Sequence, residues 1–249
     1  MLLAVDIGNT NIVVGLFSKD KLIQKWRIST DINRTEDEYS LVIRSLLKDT
    51  RIENAIFSSV VPDLDNTFKK LIQKYYRITP LMVCYKMNLG IRIKYSRPEE
   101  IGADRLVNAA AVAQAYPLPA VIIDFGTATT FCYLDKKKQY YGGLILPGIP
   151  LMLKALHLGT AKLPMVEIKE TDFIIGKSTV ESIQSGVFHQ TVGAINYIVD
   201  LIRKKYSKKA GVILTGGLGK LFCGHIKGRS MMDPDLTLNG LNIIHGLNR

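Results

Sequence analysis

The chain writes one pattern twice, and the spacing between the two copies limits what it can fold into. Near the start an apolar run, Leu2-Leu3-Ala4-Val5, leads into Asp6-Ile7-Gly8-Asn9-Thr10-Asn11, and a second apolar run follows in Ile12-Val13-Val14. The later copy reads Val121-Ile122-Ile123-Asp124-Phe125-Gly126-Thr127-Ala128-Thr129-Thr130-Phe131. The two aspartates lie 118 positions apart, close to half of the 249 residues. That period is too long for a solenoid and predicts two related halves. Each copy reads as strand, tight turn, strand, because Gly with small polar residues between β-prone runs is turn chemistry. A carboxylate ending the first strand, beside turn N–H groups and small hydroxyls, suits a hydrated metal next to phosphates. A plain hairpin whose Asp bonds its own turn accounts equally for either copy taken alone. Two such hairpins facing one another would grip a polyphosphate from both sides.

The chain is long enough for a substantial core, as one large domain or two lobes. Its 47% hydrophobic and 22% charged residues are ordinary for a soluble globular protein. The opening Met-Leu-Leu-Ala-Val-Asp has no basic region and reads as a core strand rather than a signal peptide. No apolar stretch reaches membrane-spanning length. Cys84, Cys132 and Cys223 are widely spaced and read as reduced thiols, so a cytoplasmic protein is expected.

The net charge of +11 raises the question of a polyanionic partner. The densest basic runs are Lys136-Lys137-Lys138, which reads as a hairpin tip, and Arg203-Lys204-Lys205 with Lys208-Lys209, which reads as the end of a long helix. No zinc-finger or RNA-binding signature accompanies them. They read as solvated faces, with neither nucleic acid nor membrane expected as a partner.

Taken in order, Leu2 to Thr30 predicts an antiparallel meander. Thr35-Glu36-Asp37-Glu38 is a capping box opening a helix with Tyr39, Val42, Ile43, Leu46 and Leu47 at helical spacing. A strand over residues 55–61 ends at Pro62, a helix covers 64–75, and a buried strand covers 81–84. Strands alternating with helices imply parallel neighbours, hence mixed sheets. Gly102-Ala103-Asp104-Arg105 opens an Ala-rich helix running to Tyr116, with Asp104 placed as its N-cap. The same carboxylate at a loop–helix junction can accept a proton, and Arg105 can hold a substrate carboxylate. Pro117 and Pro119 close that helix and mark the boundary, giving expected lobes 1–117 and 118–249. Residues 156–164 read as loop. Ser178-Thr179-Val180-Glu181 caps a long helix, Thr215-Gly216-Gly217 follows a strand as a phosphate-type turn, and a last helix covers 235–247. The four histidines have no metal-ligand spacing, and no nucleophile elbow, Walker loop or dinucleotide fingerprint occurs.

Together, Asp6-Ile7-Gly8-Asn9-Thr10-Asn11, Gly102-Ala103-Asp104-Arg105 and Asp124-Phe125-Gly126-Thr127-Ala128-Thr129-Thr130 resemble the type III pantothenate kinases. Tyr141-Gly142-Gly143, Pro147-Gly148, Thr160 to Pro164, Gly176 to Thr179, Thr215-Gly216-Gly217 and Leu236 to Leu241 extend the resemblance, in order, over nearly the whole chain. It implies two related actin-like (ribonuclease H-like) lobes, each a mixed α/β sheet with flanking helices, and a nucleotide cleft between them. It further implies phosphorylation of pantothenate by ATP with Mg²⁺, the first step of coenzyme A synthesis, in a homodimer. By the resemblance Asp6, Ile7, Gly8, Asn9, Thr10, Asn11, Ile12, Val13 and Thr127 match the ATP-binding positions, with Asp6 meeting Mg²⁺ through water. Asp104 matches the catalytic base. Tyr95, Gly102, Ala103, Asp104, Arg105 and Thr179 match the pantothenate contacts, and Asp124 the ligand of a monovalent cation, K⁺ or NH₄⁺. Two other readings stay open: a non-catalytic basic regulator of this fold that binds nucleic acid, and a phosphatase of the same superfamily.

Overall fold

The Asp6 hairpin folds as its residues dictate: β1 (Leu2–Ile7) turns at Gly8 into β2 (Asn11–Ser18), and β3 (Lys21–Ser29) completes the meander. The computed structural model describes residues 1–249. After the meander come α1 (Glu36–Leu47), β4 (Asn54–Ser59), α2 (Pro62–Tyr76), β5 (Leu81–Met82), β6 (Arg92–Ile93) and, past a short 3₁₀ turn, α3 (Ala103–Ala115). The sheet order is β3-β2-β1-β4-β5, with β1 antiparallel to β2 and parallel to β4. Strand alternation divides β1 between two faces. Leu3, Val5 and Ile7 pack with Tyr39, Ile43 and Leu47 of α1 and with Leu64, Phe68 and Leu71 of α2. Leu2, Ala4 and Asp6 point to the other face.

Local chemistry sets the helix ends. The Thr35 and Glu38 side chains exchange bonds with each other's backbone N–H, closing the capping box expected for α1. Pro62 takes the first position of α2, where its missing N–H costs nothing, and Arg77 ends that helix in the left-handed region. α3 begins earlier than expected. Gly102 is its N-cap, so Asp104 lies one turn position inside the helix rather than at the cap. Its Oδ1 instead accepts the Arg105 N–H at 2.8 Å.

The second unit repeats the design. It contains β7 (Ala120–Phe125), β8 (Ala128–Leu134), β9 (Gln139–Pro147), α4 (Ile149–Leu158), α5 (Thr179–Lys205), β10 (Gly211–Gly216), α6 (Gly219–Cys223) and β11 (Ser230–Met232). Within this unit the order β9-β8-β7-β10-β11 duplicates β3-β2-β1-β4-β5 strand for strand. Asp6 pairs across the sheet with Val13 and Ser58, and Asp124 with Thr130 and Thr215, so the two aspartates occupy matching positions. Val121, Ile123, Phe125, Val187, Phe188, Val199, Leu214 and Phe222 form the core of this unit. The stretch expected as loop from residue 156 is helical through Leu158. Ser178 caps α5 through the Glu181 N–H, but the Glu181 carboxylate reaches back to the Lys177 N–H rather than to the N-cap, a displaced capping box.

The compact units are residues Met1–Tyr116 with Asp235–Arg249, and Pro117–Pro234. This differs from the expected lobes in one element, α7 (Leu236–Leu247), which belongs to the first unit. Its Leu236, Leu238, Leu241 and Ile244 are fully buried there. Gly240 lets α7 lie against α3, because a Cβ at that position would run into the Val107 carbonyl. Thr237 donates to Asn108 at 2.8 Å, and Lys25 pairs with Asp235. The sequence boundary at Pro117 misses this return because nothing local to residues 235–247 names the unit whose face they cover.

Candidate active site

Within the first unit, three segments converge at one end of the sheet. At the end of β1, the Gly8 N–H donates to the Asn11 carbonyl at 3.0 Å, closing a turn that leaves Asn9 and Thr10 exposed. Thr30 clamps the turn twice: its hydroxyl donates to the Gly8 carbonyl at 2.6 Å and its N–H to the Thr10 carbonyl at 3.1 Å. Ile7 and Ile12 are completely buried, so their side chains anchor the turn. Val13 is half-buried.

Asp6 is half-buried on the sheet face opposite α1 and α2. Ser58, directly across on β4, donates its hydroxyl to Asp6 Oδ1 at 2.8 Å. The third segment follows from β4. The Val60 N–H donates to the Ile7 carbonyl at 3.0 Å, and Val60 Cγ1 lies 3.5 Å from where a Gly102 Cβ would stand. Gly102 thus places the first turn of α3, with Asp104, beside the strand end that carries Asp6 and Ser58. Two carboxylates, Asp6 and Asp104, share one sheet end.

Burial pushes the Asp104 carboxyl above the ordinary carboxylate range, against the Arg105 N–H bond and the Arg105 charge, which pull it down. A carboxylate moved toward neutral pH is a better proton acceptor for an alcohol. Arg105, expected to face a substrate, is only 6% exposed. Tyr95 is half-buried in the segment leading to the 3₁₀ turn Pro98–Glu100.

Within the second unit, Asp124 is half-buried at the end of β7. Gly216 adopts φ +86°, and a Cβ there would come within 2.6 Å of both Asp124 Oδ1 and the Phe125 carbonyl. The Phe125 backbone nitrogen would be equally close, so only glycine fits against the strand end that carries Asp124. Thr127 is exposed, and its carbonyl accepts the N–H of Gly148, the N-cap of α4. A Cβ at Gly148 would collide with the Thr127 and Gly126 carbonyls, so glycine is needed where α4 docks on the turn. Thr179 is the first residue of α5 and lines an open cavity of about 760 Å³ with Lys177, Ser178, Leu156 and Gln190.

No group of three or more acidic, Cys or His side chains gathers to enclose a metal. One hydroxyl-supported carboxylate beside a turn fits a Mg²⁺ that keeps its waters and takes its remaining ligands from phosphates. The roles of Ser58 and Thr30 escaped the sequence reading, which did mark Gly148 and Gly216 as turn residues. The signal for Ser58 was the Ser58-Ser59 pair ending a buried strand. The equivalence of β4 with β10 was invisible because Ser58 and Thr215 lie in dissimilar sequence.

The solved structures similar to this chain share its fold. A protein from Campylobacter jejuni, described as of the Baf family of transcriptional activators, superposes with a TM-score of 0.64 at 18% identity, covering 98% of this chain and 97% of that one. A ROK family protein from Streptococcus pneumoniae does so with 0.51 at 12% identity, covering 97% and 96%. At these identities the likeness shows the actin-like sugar-kinase fold alone. The sequence carries further. The family model described as type III pantothenate kinase matches residues 2–201. A type III pantothenate kinase of Finegoldia magna is 45% identical, over all of this chain and 98% of its own. One of Brevibacillus brevis is 42% identical over the whole of both. With the motifs at the sheet ends and full-length identity of this order, the chain belongs to the type III pantothenate kinase family.

Proposed function

We propose that the chain transfers the γ-phosphoryl group of ATP to the primary hydroxyl of pantothenate, with Asp104 as the proton acceptor. The observation that carries this assignment is the half-buried Asp104 carboxylate at the start of α3, beside the strand end that bears the Asp6 turn. Phosphoryl transfer asks the protein mainly for positioning and charge neutralisation. The pantothenate oxygen forms its bond to phosphorus as the bond to the β,γ-bridging oxygen breaks. Its proton passes to an Asp104 oxygen, and ADP leaves. The turn from Gly8 to Asn11, clamped by Thr30, holds phosphate oxygens, and Thr127 adds a nucleotide contact from the second unit. Tyr95, Gly102, Ala103, Arg105 and Thr179 orient pantothenate. Asp6, bonded by the Ser58 hydroxyl, would hold hydrated Mg²⁺, and Asp124 would hold K⁺ or NH₄⁺. When bound, these ions neutralise the phosphate charge. The active form is a homodimer with the α5 helix as its candidate face, working in the cytoplasm. No helix is long and apolar enough to cross a membrane.

The test measures ADP release with a panel of small alcohols, with and without pantothenate and K⁺. Turnover that requires pantothenate and rises with K⁺ is expected. ATP hydrolysis independent of pantothenate would overturn the reading.

A further inference from the structure

The positive charge of this chain is not spread evenly. From Leu201 to Met232 there are eight Lys and Arg and no carboxylate. The fold gathers most of these, with the Lys136–Lys138 tip, at the end of the second unit's sheet away from Asp124. The pairings Ala120 with Leu134, Ala120 with Gly211 and Val212 with Ser230 bring the β8–β9 hairpin tip to the starts of β7, β10 and β11. The last turn of α5 joins them through Tyr206, whose ring lies 4.8 Å from that of Tyr133. Arg203 ties the two basic loops together, donating to the Ala210 carbonyl at 3.0 Å and the Lys227 carbonyl at 2.7 Å. None of the chain's ion pairs uses Lys136, Lys137, Lys204, Lys205, Lys208, Lys209 or Arg229. A cavity of about 150 Å³, roomy enough for a phosphate group, opens between Lys209 and Arg229.

Folding also brings a second aromatic ring to Tyr206, which stands between Lys205 and Lys208 in the sequence. Tyr141 of β9 and Tyr206 after α5 stand with centroids 5.8 Å apart, and they remain 40% and 46% exposed. Lys205 Nζ lies 5.6 Å from the Tyr206 ring. The Tyr141 hydroxyl donates to Gln139 at 3.0 Å, which fixes one edge of that ring on the protein. Bare phosphate or an acidic peptide needs only the charge. Stacking rings set among unpaired cations suit a ligand with planar bases on a phosphate backbone. The tip itself, Asp135 to Gln139, has no aliphatic side chain to insert into a bilayer.

We propose that this basic, tyrosine-bearing end of the second unit binds single-stranded nucleic acid, the phosphates along Lys204, Lys205, Lys208, Lys209 and Arg229 and the bases on Tyr141 and Tyr206. The site shares no residue with the phosphoryl-transfer machinery.

Fluorescence anisotropy with labelled oligo-U RNA and oligo-dT DNA of about twelve nucleotides tests it on the full chain. Binding that weakens steeply with salt is expected. Tyr141→Ala and Tyr206→Ala each weaken it about tenfold, and Tyr206→Phe, which keeps the ring, restores it. Lys208→Glu with Lys209→Glu weakens it and flattens the salt dependence. A preference for either the RNA or the DNA arm supports the site and names its natural ligand. Pantothenate-dependent ADP release, followed in parallel, stays unchanged in all these variants, so failure here is separable from failure of the kinase reading. No oligonucleotide binding at low salt overturns the proposal. So does oligonucleotide affinity that survives both alanine variants, or stronger binding to inorganic polyphosphate or phosphatidylserine vesicles.

Discussion

Asp104 illustrates a residue whose usefulness conflicts with its comfort. Its folded pKa lies above the unfolded one because burial disfavours the charge. The stabilising contribution of such a group is present below its unfolded pKa and is lost as pH rises through the folded pKa. At neutral pH the ionised Asp104 therefore weakens the fold. Asp104→Asn is expected to raise the melting temperature at pH 7, the difference shrinking as pH falls through the carboxylate range. The same change should lower kcat by roughly 10²- to 10⁴-fold while ATP binding survives. Calorimetry across pH and steady-state kinetics check the two halves; normal turnover would remove Asp104 from the base role. Ser58→Ala leaves Asp6 Oδ1 without that hydroxyl. About 2 kcal/mol, a charged hydrogen bond's worth, should appear as roughly a thirtyfold fall in kcat/KM for ATP. An unchanged value would make Ser58 structural only.

At the scale of elements, the glycines that seat one segment on another are the sensitive points. Gly216→Ala puts a methyl group between Asp124 and the Phe125 carbonyl on a backbone that L residues rarely adopt. Loss of monovalent-cation activation is expected, with about 1–3 kcal/mol of destabilisation. A K⁺ titration of ADP release that matches the parent would argue against Asp124 as the cation ligand. Gly240→Val should force α7 away from the Val107 carbonyl of α3, costing about 1–3 kcal/mol in urea unfolding. These contacts also explain what sequence could and could not convey. The α1 capping box and the Gly-Asn-Thr turn are written in adjacent residues and were legible. Asp104's place inside α3 was not, because Gly102 takes the cap by geometry. The helical stretch through Leu158 was missed for the opposite reason, since its Leu-His-Leu-Gly end looks like a helix exit.

Across the whole molecule, the duplicated Asp-x-Gly pattern predicted two related units, and the matching sheet orders bear that relation out. The pattern carried no information about the last helix. Deleting residues 235–249 should unfold the first unit selectively, because it removes Leu236, Leu238, Leu241 and Ile244 from its core. Limited proteolysis of the truncated chain should cut within residues 1–116 and spare 117–234. Equal resistance in both segments would show that α7 is dispensable. The charge distribution was likewise hidden, since Tyr141 and Tyr206 are 65 positions apart in sequence and 5.8 Å apart in space.

The return of α7 also sets an order of events during translation. Residues 117–234 are contiguous, so everything the second unit contains has been synthesised before Asp235 is added. The first unit, although its strands are made earliest, lacks α7 until residues 235–249 have been added. The usual N-terminal-first order of domain folding is therefore expected to reverse. Until α7 is made, the β1, β2 and β4 face that it covers is an apolar surface awaiting its lid, and a premature stop at or before codon 235 leaves it bare.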